Sequence, residues 1–215
     1  MGNDPTASPN KNQARREGRI GMTEPRLVLF TRFPTPGQAK TRLIPALGAE
    51  GAAALHRRLT ERTLVAMHAA GLPIELLVTG APLMDFHVWL GETLVIKEQG
   101  EGDLGARLAR AAEAAPVILL GADAPDLSPA HLRAAAEAVR RGQVVIGPAE
   151  DGGYWLLGLP MPALFLFDTM PWSTDVLLAA TLDRLLAHGI VPILLDRLAD
   201  LDRPEDLARW PELTP

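Results

Sequence analysis

Residues 27–43 read Leu27-Val28-Leu29-Phe30, then Thr31-Arg32-Phe33-Pro34-Thr35-Pro36-Gly37-Gln38-Ala39-Lys40-Thr41-Arg42-Leu43. Four consecutive apolar residues stopped by proline and glycine mark a short buried strand. Beyond the loop, residues 49–70 carry Ala53, Leu59, Leu64 and Met67 at helical spacing and close at Gly71, a residue suited to a C-cap. The alternation then repeats. Residues 74–78, 94–96, 117–120, 144–146, 154–159 and 191–195 read as strands. Residues 84–90, 104–115, 128–141, 176–188 and 202–210 read as helices, with Ser128 as an N-cap followed by Pro129 in the first turn. This order predicts a three-layer α/β/α sandwich around a mostly parallel sheet. Ligands of such sheets bind beyond the carboxyl ends of the strands, at the switch point of the strand order, so residues directly after strands carry the functional information.

Composition narrows the partners. The chain has 215 residues, 47% hydrophobic and 22% charged, which suits one globular domain over residues 26–215. Residues 1–25 are polar and aperiodic and read as a disordered tail, with Met22 a candidate start. Cysteine is absent, which excludes disulfides, thiolate metal sites and a cysteine nucleophile. The net charge is −5; residues 1–26 are net positive by 2, leaving −7 on the remainder. An acidic body argues against nucleic acid or an anionic membrane as partner. The longest uncharged stretch, residues 152–167, is too short to span a bilayer and is broken by Pro160 and Pro162. No apolar run marks a secretory signal, so a soluble, cytoplasmic protein is expected.

Five loops are chemically informative. In the first, Arg32, Lys40 and Arg42 share a segment stiffened by Pro34 and Pro36 and freed at Gly37, which suits phosphate oxygens; a solvated basic turn is the alternative. It is not a Walker A loop, because Ala39 stands where glycine should precede lysine and the spacing is short. In Gly121-Ala122-Asp123-Ala124-Pro125-Asp126, Asp123 can hold a divalent cation against a diphosphate. A cap or turn role is the other reading, although Ser128 already serves as cap. Glu150-Asp151-Gly152-Gly153 is a hairpin signal. It also offers two candidate bases, or a second metal ligand, beside glycines that allow close ligand approach.

Residues 99–107 are a glycine-rich connector capped by Asp103, or a loop that touches a base or ribose. Near the C-terminus, Asp202 and Glu205 form a capping-box pattern, which leaves Asp200 as a metal contact, direct or through water. Trp172 is a pocket wall or a core anchor. The five histidines lie in helical segments without ligand spacing and read as structural. No Gly-x-Ser-x-Gly elbow supports a serine hydrolase.

Taken in order, residues 30–37 and 40–43 with blocks 100–107, 121–127, 147–158, 171–174 and 200–207 resemble a GT-A-type, glycosyltransferase-like family of largely uncharacterised function. It lies within the nucleotide-diphospho-sugar transferase superfamily and includes members assigned to arsenosugar biosynthesis; the resemblance spans about residues 27–210. It implies that superfamily's fold, with a nucleotide held by Arg32, Pro36, Gly37, Lys40, Thr41, Arg42, Gly102, Leu104, Gly105, Gly152 and Gly153. It also implies Mg2+ or Mn2+ on Asp123, which Asp200 would join. Two features depart from related patterns: the Asp-x-Asp of many glycosyltransferases is absent at 121–123, and a proline-rich opening loop replaces the glycine-rich loop of molybdopterin-type guanylyltransferases.

The expected reaction is transfer from a nucleotide-diphospho-sugar to a small-molecule acceptor. The metal, Lys40 and Arg42 would neutralise the leaving diphosphate, and Asp151 or Glu150 would take the acceptor's proton. Nucleotidyl transfer with pyrophosphate release is the alternative, and a non-catalytic nucleotide-binding module is the third reading.

Overall fold

The computed structural model describes residues 24–213. The expected tail lies outside them except for Glu24 and Pro25. Those two are not loose: Glu24 ion-pairs with Arg140, and Pro25 is buried.

The first half runs β1 (Arg26–Arg32), α1 (Ile44–Ala70), β2 (Ile74–Thr79), α2 (Leu83–Leu90), β3 (Val95–Glu98), α3 (Leu104–Ala112) and β4 (Val117–Leu120). Then follow α4 (Pro129–Arg140), β5 (Val145–Pro148), β6 (Tyr154–Leu159), α5 (Leu177–Ala187) and β7 (Ile193–Leu194). The seven strands form one sheet in the order β3-β2-β1-β4-β6-β5-β7. All neighbours are parallel except β6, which runs antiparallel to both β4 and β5. Only residues 149–153 join β5 to β6, too few for a parallel crossover, so the Asp151-Gly152 turn does make a hairpin.

Alternation along β1 explains the layers. Leu27 and Leu29 face a core that holds Leu64 and Met67 of α1, Phe86 of α2 and Leu132 of α4. Val28 faces the opposite core, with Ala111 and Ala112 of α3 and Leu185 of α5. A third cluster joins Leu43, Leu55 and Leu59 to Ala199, Leu201, Trp210 and Leu213. It fastens the C-terminal segment over the start of α1, beside the loop after β1.

Two elements differ from expectation. α1 begins at Ile44, but Gly48 breaks it with φ 72° and ψ 170°, so its regular part does begin near residue 49. The expected terminal α-helix is a 3-10 segment, Pro204–Arg209.

The chain leaves β1 toward β2, while β4 lies on β1's other side. The crevice at this switch point is therefore walled by residues 33–43 and 121–123. Among the described residues no helix is long and apolar enough to cross a membrane.

Gly158 tests the packing of the central sheet. A Cβ there would lie 2.4 Å from Val145 Cγ1 and 2.9 Å from Val139 Cγ2. Gly158→Ala should therefore cost about 1–3 kcal/mol through overpacking, read as a lower urea midpoint. An unchanged midpoint would contradict this packing.

Candidate active site

The loop after β1 delivers Lys40 into the crevice. Gln38 and Ala39 donate their N–H groups to the Thr35 carbonyl at 3.0 and 3.2 Å, and Gly37 turns the chain at φ 80°. Lys40 itself is left-handed, with φ 48° and ψ 46°. That conformation costs a non-glycine residue about 1–2 kcal/mol. It sends the side chain inward, to 4% exposure. The ammonium lies 2.7 Å from Asp123 Oδ1, donates to the Leu201 carbonyl at 2.5 Å and lies 3.5 Å from Asp202 Oδ1. Arg42 pairs with the other Asp202 oxygen at 2.5 Å. Leu201 N–H donates to the Asp123 carbonyl at 2.8 Å. Three segments far apart in sequence thus meet on one ammonium.

Burial works to lower the Lys40 pKa, but the Asp123 and Asp202 carboxylates outweigh it and hold the pKa above the ordinary lysine value. Burial likewise works to raise Asp123, yet the Lys40 ammonium, helped by His56, keeps it below the usual carboxylate range. Beside them His56 Nε2 lies 3.0 Å from the Arg32 carbonyl and 3.3 Å from Thr31 Oγ1, which is 3.1 Å from Thr60 Oγ1. Burial lowers the His56 pKa. This polar knot braces the end of β1 on α1, the structural role expected of a histidine here.

Three cavities adjoin this centre. A mainly basic one of about 310 Å³ is lined by Arg32, Gln38, Lys40, Thr41, Arg42 and His56 together with the carboxylates of Asp123 and Asp202. An apolar one of about 270 Å³ has Asp123 on its rim and Phe30, Leu104, Leu108, Tyr154 and Trp172 in its wall. The largest of these three, about 520 Å³, brings the carboxylates of Glu150, Asp151, Asp175, Asp200, Asp202 and Asp206 together with Arg42, Arg203 and Arg209. Pro36 and Gly37 form the exposed turn that carries Lys40 inward.

Asp200 is the frustrated member. Its Oδ2 is buried without a hydrogen-bond partner. Burial, then the charges of Asp151 and Asp123, push its pKa up to about 8. A buried, unpartnered carboxylate oxygen beside other carboxylates is the kind of donor a hard divalent cation takes. Among the described residues no three acidic, histidine or cysteine side chains are gathered as a ready cation cage. The nearest cation to Asp123 is Lys40.

Other expected site residues have different duties. Glu150 accepts two bonds from Arg209, at 2.6 and 3.1 Å, and this pairing lowers its pKa; it is a poor base. Asp151 Oδ1 accepts the Gly153 N–H at 2.8 Å, within the hairpin turn. A Cβ on Gly152 would lie 2.0 Å from the Asp175 carbonyl oxygen, so the glycine is required by the segment just before α5. Gly105 is likewise a packing glycine, because its Cβ would lie 2.6 Å from Trp172 Nε1. Trp172 thereby serves as both anchor and pocket wall.

The 99–103 connector is clamped rather than flexible. Arg110 donates to the Gln99 and Glu101 carbonyls, Arg107 donates to the Gly102 carbonyl and to Gln99 Oε1, and Asp103 caps Ala106 N–H at 2.9 Å. Leu104 is left 42% exposed at the mouth of the apolar cavity. The capping-box reading of Asp202 is also corrected. Asp206 Oδ2 accepts the N–H groups of Asp202 and Arg203, which frees the Asp202 carboxylate for Lys40 and Arg42.

Sequence reasoning missed Asp202, Arg209 and Gln99. The Gln99 amide donates to the Thr31 and Leu77 carbonyls and ties the ends of β1, β2 and β3 together. Gln99 follows Lys97 and Glu98, so no local signal sets it apart.

This sheet and crevice define an α/β transferase of the nucleotide-diphospho-sugar transferase fold. The chain belongs to the family described as uncharacterized protein conserved in bacteria (DUF2064), whose profile matches residues 63–174. It is 33% identical over 182 residues to the phosphoenolpyruvate guanylyltransferase of Rubrobacter xylanophilus, covering 80% of this chain and 86% of that protein. A Desulfovibrio desulfuricans protein assigned as a nucleotide-diphospho-sugar transferase superposes with a TM-score of 0.79 at 26% identity, over 85% of this chain and 84% of that one. CMP:2-keto-3-deoxy-manno-octonic acid synthetase, solved with CTP, shares the fold, with a TM-score of 0.52 at 13% identity over 89% of this chain and 98% of that one.

The raised Asp200 pKa has a thermodynamic signature. Between the ordinary aspartate value of 3.8 and about 8, the unfolded chain has released this proton and the folded chain keeps it. Stability therefore falls as pH rises through that window. In EDTA, Asp200→Asn should remove this component of the slope and raise Tm at pH 8, with each kcal/mol relieved worth about 2–4 °C. An unchanged slope would contradict the burial of an unpaired carboxyl here.

Proposed function

We propose that the protein is a metal-dependent nucleotidyltransferase that moves a nucleoside monophosphate from a nucleoside triphosphate to a small anionic acceptor. The observation that carries this reading is the pairing of a basic cavity with an acidic centre whose expected base, Glu150, is neutralised by Arg209. An acceptor that is already an anion needs no general base. The named activity of the Rubrobacter relative supports the same reaction class.

In this reading an acceptor oxygen attacks the α-phosphorus, the bond from that phosphorus to the α–β bridging oxygen breaks, and pyrophosphate leaves with the electron pair. Arg32, Lys40, Thr41 and Arg42 bind the triphosphate and fix its orientation. Asp123 and Asp200 would hold Mg2+ or Mn2+. When bound, the cation supplies neutralisation of charge on the reacting phosphates. In the 520 Å³ cavity an acceptor phosphate or carboxylate would meet Arg42, Arg203 and Arg209, competing with Asp202 for Arg42 and with Glu150 for Arg209. Residues 26–215 form one catalytic unit, acting in the cytoplasm on small molecules rather than on nucleic acid or membrane.

Glycosyl transfer is the second reading, favoured by the Desulfovibrio structure. It needs a base, and Asp151 rather than Glu150 would have to serve.

The discriminating assay combines the protein, Mg2+ or Mn2+, GTP and phosphoenolpyruvate, with other triphosphates and nucleotide-sugars in parallel, and resolves phosphorus products by 31P NMR. Pyrophosphate is the expected product; nucleoside diphosphate release from a nucleotide-sugar would overturn the proposal in favour of glycosyl transfer. Asp123→Asn should lower kcat/KM by about 100-fold or more, the scale of losing one preorganised charge partner, and EDTA should abolish turnover.

A further inference from the structure

Lys40 stands where the acidic centre would receive a cation. Its ammonium has the Asp123 carboxylate at 2.7 Å, the Leu201 carbonyl at 2.5 Å and Asp202 Oδ1 at 3.5 Å. These are three oxygens from two segments, gathered round one positive charge. The lysine is 4% exposed, whereas Asp123 is 52% exposed at the mouth of the crevice. An incoming free dication would therefore meet a carboxylate already neutralised from within. It would have to displace a buried ammonium that gained no new partner.

A polyphosphate changes that balance. Lys40 also lines the basic cavity, beside Thr41 and Arg42. Phosphate oxygens bound there would give the ammonium new anionic partners and free Asp123 for a cation. We propose that Lys40 holds the cation's place in the resting enzyme, so that the site takes its divalent ion only as the metal–nucleoside triphosphate complex. This deepens the nucleotidyltransferase reading and rests on it: the substrate is the complex, and Lys40 is the positioning residue that exchanges Asp123 for phosphate.

The test measures binding rather than turnover. Calorimetry with Mn2+ alone, and with Mn2+ complexed to inorganic tripolyphosphate, is run on wild type, Lys40→Met and Lys40→Gln. Wild type should bind the complex at least about tenfold more tightly than free Mn2+, a difference in Kd that calorimetry resolves readily. Both neutral variants should reverse that order, gaining affinity for free Mn2+ and losing it for the complex. Wild type binding free Mn2+ as tightly as the complex, or Lys40→Met binding free Mn2+ no more tightly than wild type, would overturn the inference and leave the nucleotidyltransferase reading standing. Failure of every form to bind either species would overturn both. The wild-type comparison decides the matter even if a variant fails the near-UV circular dichroism check for folding.

Discussion

One buried ammonium organises the crevice. Lys40 contacts Asp123 at the end of β4, together with the Leu201 carbonyl and Asp202 in a segment about 160 residues further along the chain. The apolar cluster of Leu43, Leu55, Leu59, Leu201 and Trp210 lies directly behind it. That cluster supplies non-directional burial, while the ammonium supplies direction. Without Lys40, Asp123 would lose its ion-pair partner and face Asp200 and Asp202, of which Asp202 keeps Arg42. With it, the segments that wall the basic cavity and the largest cavity are fixed relative to the end of β1.

The site departs from local rules where chemistry requires it. Lys40 adopts a left-handed backbone that its type disfavours, and Asp200 buries an oxygen that nothing satisfies. Two networks brace the scaffold around these positions. The His56–Thr31–Thr60 knot holds the end of β1, and Gln99 with Arg107 and Arg110 holds the loop after β3. Strain at a few positions supported by satisfied neighbours is the pattern of a preorganised site. In an otherwise acidic protein, Arg32, Lys40 and Arg42 gather round one cavity, where Asp123 and Asp202 answer two of those three charges.

Local chemistry made much of this legible. The apolar run 27–30 could only be a buried strand, Ser128-Pro129 could only open a helix, and Asp123 stood past the end of a strand with the cap role already filled. The hidden features depend on partners distant in sequence. Asp202 read as a cap because Glu205 is three residues away, whereas its carboxylate is claimed by Lys40 and Arg42 from the other end of the chain. Glu150 read as a base because Arg209, 59 residues further on, leaves no trace beside it. Gly105 and Gly152 also have close packing partners that no local pattern shows, Trp172 and the backbone of Asp175. A sequence displays residue type and local period; it does not display which charge answers which.

The central claim is that Lys40 and Asp123 act as one unit in holding the crevice together. A double-mutant cycle on unfolding free energy, with Lys40→Met, Asp123→Asn and the double variant measured in EDTA, tests it most directly. The account predicts strong non-additivity. Each single variant should lose stability by leaving a charge without its partner, and the double variant should recover much of that loss, giving a coupling on the order of 1–3 kcal/mol. Additive losses, with a coupling within about 0.3–0.5 kcal/mol of zero as for independent sites, would contradict it.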